Sequence, residues 1–304
     1  MIEALSLGPE AVALRAARAT GVVRVVLRDV VYLESSGGYV VGIMAGTDDG
    51  PLTLRVHDLA PLHAALACPP ALPFQATPDA LYLGPALRIG WAHTPPWHPA
   101  LPVATGDPAA RAAARTRLGQ AITQAGPPAG CAGLVPWLQA GGPSDVGMRH
   151  DPLLRRVAAA ITASQAAAQA GQPAAAAAAL TRLLGLGPGL TPSGDDLLMG
   201  LLAAWVWQRP GGRPAPGLVE AAIAAVGAAA PQQTNQISTR LLAHASRGIL
   251  AAPALALGAA VLGGDPAAVA AATPRLFTIG HTSGVDLTTG LLLAILDFGF
   301  WILD

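Results

Sequence analysis

The chain has 304 residues, 52% of them hydrophobic and only 12% charged, with a formal net charge of zero. That length holds two domains or one large one, and the neutral balance removes the electrostatic term on which nucleic-acid binding depends. No lysine is present, so Schiff-base chemistry is excluded, and any anion must be held by arginine, by backbone N–H groups or by a metal.

The start, Met1-Ile2-Glu3-Ala4, lacks the basic and apolar regions of a signal peptide. Residues 20–105 are β-rich. Val22 to Leu33 mixes β-branched residues with charges, Gly37-Gly38 breaks the run, and Tyr39 to Met44 resumes it. Leu52 to His57 alternates, and Ala80–Leu83 and Leu87–Trp91 flank Gly84-Pro85. Short strands at this spacing predict a small barrel or sandwich. Trp97-His98-Pro99 reads either as a proline-stiffened loop on that core or as an aromatic wall over a pocket.

From Asp107 the texture turns helical. Helices are predicted at 109–124, 153–170, 174–184, 193–208, 217–229, 235–251, 253–263 and 283–298, with Gly/Pro-rich loops at Gly141-Gly142-Pro143-Ser144 and Arg209 to Pro214. The expected fold class is α+β: an N-terminal β-rich barrel or sandwich over 1–105, then a mainly helical domain over 106–304. The apolar runs are interrupted, Leu197 to Trp207 by its polar flanks and Gly248 to Gly264 by Pro253, so no membrane span is expected. Cys68 and Cys131 lack C-x-x-C spacing and suit a reducing cytoplasm.

One segment repeats. Thr191-Pro192-Ser193-Gly194-Asp195-Asp196-Leu197 aligns with His281-Thr282-Ser283-Gly284-Val285-Asp286-Leu287, ninety residues on, and both run into Leu/Ala stretches. Each Ser stands three residues before an Asp, the spacing of a capping box, so both copies are predicted to open helices with Asp196 and Asp286 as caps. Asp195 aligns with Val285, so capping does not demand it. It is the better candidate for a base or a substrate contact. Upstream, Gly187 and Gly189 in Gly185-Leu186-Gly187-Pro188-Gly189 allow close backbone approach. With the helix dipole behind them they describe an oxyanion or phosphate cradle, although a tight turn before a capped helix fits equally. A carboxylate pair repels phosphate, so the cradle needs arginine or a cation to offset Asp195.

Two further clusters carry polar chemistry. Thr234-Asn235-Gln236-Ile237-Ser238-Thr239-Arg240 leads to His244 and Arg247, and Arg240, His244 and Arg247 share one helical stripe. That stripe is either a solvated face or a carboxylate- or carbamoyl-binding guanidinium pair. His281 precedes the second Ser-Gly and is either structural or a base. The remaining histidines show no zinc spacing, and no G-x-S-x-G elbow occurs.

Gly187-x-Gly189-Leu190-Thr191-Pro192-Ser193-Gly194-Asp195-Asp196, Thr234-Asn235-x-Ile237-Ser238 and Gly280-His281-Thr282-Ser283-Gly284-x-Asp286 together resemble the AllH-like family, named for a subunit of oxamate carbamoyltransferase in anaerobic allantoin breakdown, a branch of purine catabolism. The resemblance implies carbamoyl transfer: oxalurate plus phosphate giving oxamate plus carbamoyl phosphate, or the reverse. It also implies FdrA-type and AllG-type partner subunits, a small anionic substrate such as carbamoyl phosphate or oxamate, and no redox cofactor. Under this reading Asp195, Asn235 and His281 orient or deprotonate the acceptor. Gly187, Gly189, Thr191, Ser193, Gly194, Arg240, Arg247 and Ser283 bind substrate or phosphate. Two alternatives stand beside it: a hydrolase with Mg²⁺ on Asp195, Asp196 and Asp286, and a non-catalytic binding or scaffold subunit.

Overall fold

Alternation of buried and exposed side chains with period two builds the strands of the N-terminal half. The computed structural model describes residues 2–66, 72–85, 87–125, 130–140, 151–211 and 217–296. Cys68, His150, the 141–144 loop and positions 212–214 lie outside the described residues. The chain divides into two units, Met1–Pro99 and Ala100–Asp304.

In the first unit β1 (Ile2–Leu7) leads to α1 (Pro9–Ala16), β2 (Thr20–Val26), β3 (Val30–Ser35), β4 (Val40–Ala45) and β5 (Thr53–Val56). Then come α2 (Ala60–Ala65), β6 (Pro73–Ala76), β7 (Ala80–Leu83) and β8 (Leu87–Gly90). The strands close into a barrel in the order β1-β5-β4-β3-β2-β6-β7-β8. The β1–β8 and β4–β5 pairs are parallel and the rest antiparallel. Closure removes exposed sheet edges and resolves the choice between barrel and sandwich. The inward positions form one apolar core, including Leu33, Ile43, Leu54, Leu81, Ile89 and Trp91, and Leu14 of α1 packs into it.

The stretch from Val22 to Leu33 is not one strand but a hairpin. Leu27 N–H donates to the Val30 carbonyl at 2.9 Å, and Arg28 and Asp29 project into solvent at the turn. Trp97 N–H donates to Leu7 O at 2.7 Å, which ties the Trp-His-Pro segment to the barrel as a packed loop.

The second unit is helical. It contains α3 (Pro108–Gln124), a 3₁₀ turn at Gly130–Leu134, α4 (Val135–Gln139), α5 (Pro152–Gln169), α6 (Pro173–Leu180) and a 3₁₀ turn at Thr181–Leu183. Then follow α7 (Ser193–Gln208), α8 (Leu218–Gln233), α9 (Gln236–Ala245), α10 (Ala252–Gly263), α11 (Pro266–Phe277) and α12 (Ser283–Ile295). Asp107, Asp151 and Asp265 cap α3, α5 and α11 with their carboxylates, each followed by proline at the first helical position. No helix among the described residues is long and apolar enough to cross a membrane.

α9 stops six residues short of the expected 251. Gly248 adopts φ 76° there, and Ile249 N–H returns to the His244 carbonyl at 3.0 Å, a left-handed stop that glycine makes easy. α7 is the axis of the unit, with all of its residues except Val206 buried. It crosses α12 at two glycines. A methyl group on Gly200 would fall on the Leu287 carbonyl oxygen, and one on Gly290 would fall on the Leu197 carbonyl oxygen. The two repeat copies therefore meet backbone to backbone, each through the glycine one turn beyond its aligned Asp.

A hydroxyl and acid cluster between the repeated helix starts

Asp196 and Gly200 lie on one stripe of α7, and Asp286 and Gly290 on the matching stripe of α12, because residues four apart share a helix face. The close glycine crossing therefore draws the two helix beginnings together. Thr191 and Ser283 hydroxyls meet at 2.8 Å, one from each copy. Asp196 interacts with the Ser283 hydroxyl, and Asp286 with the Ser193 hydroxyl. Each acid is thus influenced by the serine of the other copy.

This geometry corrects the capping expectation. Pro192 and Thr282, not the serines, occupy the N-cap positions, and neither helix has a side-chain cap hydrogen bond. Ser193 and Ser283 are the first helical residues, which moves Asp196 and Asp286 to the fourth position and turns them toward the partner helix. Backbone carbonyls do the capping instead. Leu186 O accepts from Gly194 N at 2.8 Å and Ile279 O accepts from Gly284 N at 3.0 Å, while Pro192 O takes the Asp195 and Asp196 amides. The helix-start amides expected to cradle an anion are spent at these positions. Side-chain hydroxyls and the exposed Gly187-Pro188-Gly189 stretch remain to face a ligand. Gly187 (φ 109°) and Gly189 (φ 103°) both sit where only glycine is at ease.

The acids are buried, Asp195 and Asp286 fully and Asp196 to 2% exposure. Burial pushes the Asp196 carboxyl well above the ordinary carboxylate range; the Ser283 hydroxyl opposes this, and the neighbouring Asp286 adds to it. Asp286 is raised by burial too, opposed first by the Cys131 amide, which donates to its Oδ1 at 2.5 Å. One oxygen of each acid, Oδ2, has no hydrogen-bond partner. Asp195 differs. Burial raises it, but its Oδ1 accepts from Gly185 N at 2.8 Å and its Oδ2 accepts from the Thr234 hydroxyl. Both of its oxygens are engaged in tying the glycine loop to the start of α9.

The other expected residues divide. Asn235 caps α9, its Oδ1 accepting from Ser238 N at 3.0 Å, and its Nδ2 donates to Leu190 O at 2.7 Å. It anchors the loop, with both ends of its amide in use. Arg240 is half-buried one turn into α9 and already interacts within the chain. His281 is exposed, two residues before Ser283. Arg247 is drawn away from the cluster. Its Nε reaches Ala243 O at 3.3 Å and its Nη2 lies 3.2 Å from His244 Nδ1, at the C-terminal end of α9. The adjoining Gly248 carbonyl accepts from Trp207 Nε1 at 2.9 Å. Trp207 is fourteen residues beyond Ser193, roughly 21 Å along α7.

Sequence reasoning did not anticipate Gly130 and Cys131. A methyl on Gly130 would strike the Asp286 carboxylate, so glycine is what lets the 3₁₀ turn reach that acid. The Cys131 thiol contacts Ser193 O at 3.7 Å, and burial followed by Asp286 holds it protonated. Nothing in the local sequence ties this turn to a helix more than 150 residues away. Among the described residues, no group of three His, Cys, Asp or Glu side chains is placed to hold a metal ion. Asp195 turns its oxygens to Gly185 and Thr234.

The class that emerges is an α+β protein whose β-barrel unit precedes a helical unit carrying a repeat-built cluster of hydroxyls and buried acids. Residues 183–295, the segment that holds both copies of the repeat, match the family model described as oxamate carbamoyltransferase subunit AllH. The AllH resemblance carried by the loop motifs thus holds over this stretch. No solved structure matches the chain.

Proposed function

We propose that this chain is the substrate-handling subunit of a carbamoyltransferase that interconverts oxalurate plus phosphate with oxamate plus carbamoyl phosphate. It would work beside FdrA-type and AllG-type subunits. The observation that supports this reading most is where the family match falls: 183–295 encloses the crossing at which Thr191 and Ser283 hydroxyls meet at 2.8 Å over two buried acids. Carbamoyl transfer needs donors for an oxyanion and no redox group. Thr191, Ser193 and Ser283 supply hydroxyl donors. Burial raises both acids and so weakens the repulsion that bare carboxylates would impose on phosphate or oxamate. Asp195 and Asn235 hold the glycine loop over the cluster and serve as positioning residues.

The test is oxalurate phosphorolysis by the assembled subunits. Ser283→Ala and Thr191→Val, each removing one hydroxyl of the pair, are expected to lower turnover at least tenfold with the fold retained. Wild-type rates in both variants would overturn the reading.

A further inference from the structure

The repeat reaches well upstream of its serines. Gly171-Gln172-Pro173-Ala174-Ala175 corresponds to Gly264-Asp265-Pro266-Ala267-Ala268, and Arg182-Leu183 to Arg275-Leu276, in one unbroken register that ends at Gly187 and Gly280. The backbone repeats with it. α5 and α10 both close on a left-handed glycine, Gly171 (φ 69°) and Gly264 (φ 73°). Gln172 N then donates to Ala167 O at 2.9 Å, and Asp265 N to Ala260 O at 3.0 Å. Leu186 N donates to Leu183 O and Ile279 N to Leu276 O, each at 3.1 Å. A methyl on Gly194 would strike the Leu183 carbonyl oxygen, and one on Gly284 the Leu276 carbonyl oxygen. α5–α6–α7 and α10–α11–α12 are therefore two copies of one three-helix unit, and each copy is the control for the other.

The copies part at one place. Between Gly187 and Thr191 the first has Pro188-Gly189-Leu190, whereas Gly280 is followed directly by His281. The other departures of the first copy serve this same loop. Asp195, where the second has Val285, takes Gly185 N at 2.8 Å and the Thr234 hydroxyl. Gly185, where the second has Thr278, lies so close to Gln233 O that any side chain would strike it. Leu190 O accepts from Asn235 Nδ2 at 2.7 Å and from the Ser238 hydroxyl at 3.4 Å. The loop is fastened at both ends, yet Gly187, Pro188 and Gly189 stay exposed. Joining the helices does not require any of this, because the second copy makes the same junction without the insertion or the extra acid.

We propose that the insertion Pro188-Gly189-Leu190 is a specificity-determining segment that grips an oxyanion of the substrate, a carboxylate or a phosphate; this deepens the carbamoyltransferase reading and rests on it. The segment runs straight into Thr191, whose hydroxyl meets that of Ser283 at 2.8 Å. It carries no polar side chain, so what it offers is main chain, and no hydrogen bond among the described residues takes the Gly189 or Leu190 amide. Bare amides in a glycine-rich turn suit an oxyanion. A loop already fixed in place loses little freedom when it binds.

The test is to delete Pro188 to Leu190 from the full chain, which gives the first loop the length of the second. Phosphorolysis by the assembled subunits is then measured with oxalurate and phosphate varied separately. KM for the anion that the segment holds is expected to rise at least about tenfold with kcat within about threefold, the pattern of lost binding. A rise for oxalurate assigns the segment to the carboxylate, and a rise for phosphate to the phosphoryl oxygens. Gly189→Ala covers the case in which the deletion fails to fold. The added methyl meets only Thr191 O, at 3.9 Å, but alanine resists φ 103°, so the loop alone is disturbed. It should raise the same KM about threefold or more. Unchanged KM values in Gly189→Ala, or a fall in kcat alone, would overturn the inference and leave the carbamoyltransferase reading standing. If the wild-type assembly does not turn over oxalurate, that reading falls, and isothermal titration of the full chain with oxamate and inorganic phosphate decides the segment's role. Binding weakened by Gly189→Ala supports it; equal binding, or none by the wild-type chain, overturns it.

Discussion

Gly200→Ala tests whether the two repeat copies are held by direct backbone contact. In an exposed helix the substitution stabilises by up to about 1 kcal/mol through helix propensity. Here the added methyl would land on the Leu287 carbonyl oxygen and stand 2.8 Å from Leu291 N, and neither can turn away as a side-chain tip would. Overpacking of this kind costs about 1–3 kcal/mol, and a backbone obstacle argues for the upper half of that range. The net expectation is a loss of about 1–2 kcal/mol, or about 2–8 °C in Tm for a unit of this size. Gly227→Ala on α8 is the control, because that glycine is exposed and nothing stands within 4 Å of the added carbon. It should raise Tm slightly. Differential scanning calorimetry of the two variants decides the matter. A Gly200→Ala protein as stable as Gly227→Ala would refute the close crossing. The double variant Gly200→Ala/Gly290→Ala should lose less than the sum of the singles, since one widened crossing relieves both sites.

The buried acids set a pH dependence. Their folded pKa values are raised, so the folded state holds more protons than the unfolded one across a window that opens near the ordinary Asp value of about 3.9. The stability they contribute is full below that value and is lost as pH rises through the folded pKa values. Urea titrations from pH 4 upward should show it, and Asp196→Asn should flatten the slope; a slope of opposite sign in the Asp196→Asn difference would sink the assignment. Asp195→Ala should cost about 1–3 kcal/mol, because Gly185 N and the Thr234 hydroxyl lose their acceptor, and hydrogen exchange should show earlier opening at 185–190. Arg247→Ala should leave phosphate and oxamate binding within twofold of wild type, since its guanidinium serves the far end of α9; a large affinity loss by titration calorimetry would contradict the placement.

The helical unit was legible where local signals are strong. The bounds of α7 coincide with the expected 193–208, because a polar start and an unbroken apolar run leave little choice. The repeat also identified the helices that meet. What stayed hidden depends on contacts distant in sequence. The one-residue shift that makes Ser193 helical follows from the Leu186 and Pro192 carbonyls taking the first amides, which no local pattern encodes. β1 and α1 were missed because Ile2–Leu7 pairs only with β5 and β8, about fifty and ninety residues away, and carries a mixed pattern of burial. Arg247 lies at the C-terminal end of α9, which the sequence could not show, since helical periodicity fixes a face and says nothing of which terminus approaches the neighbour. The Asp195 side chain was expected at the chemistry and is instead fully engaged by Gly185 and Thr234.

The glycine crossing has the form of a two-fold interface enclosed in a single chain: Gly200 meets Leu287 as Gly290 meets Leu197. In a homodimer of one such module, every change would be forced onto both halves at once. Tandem duplication lifts that constraint. One half can keep an acid at 195 to fasten its loop while the other carries Val285 at the same place, so a symmetric framework comes to carry two unlike loops.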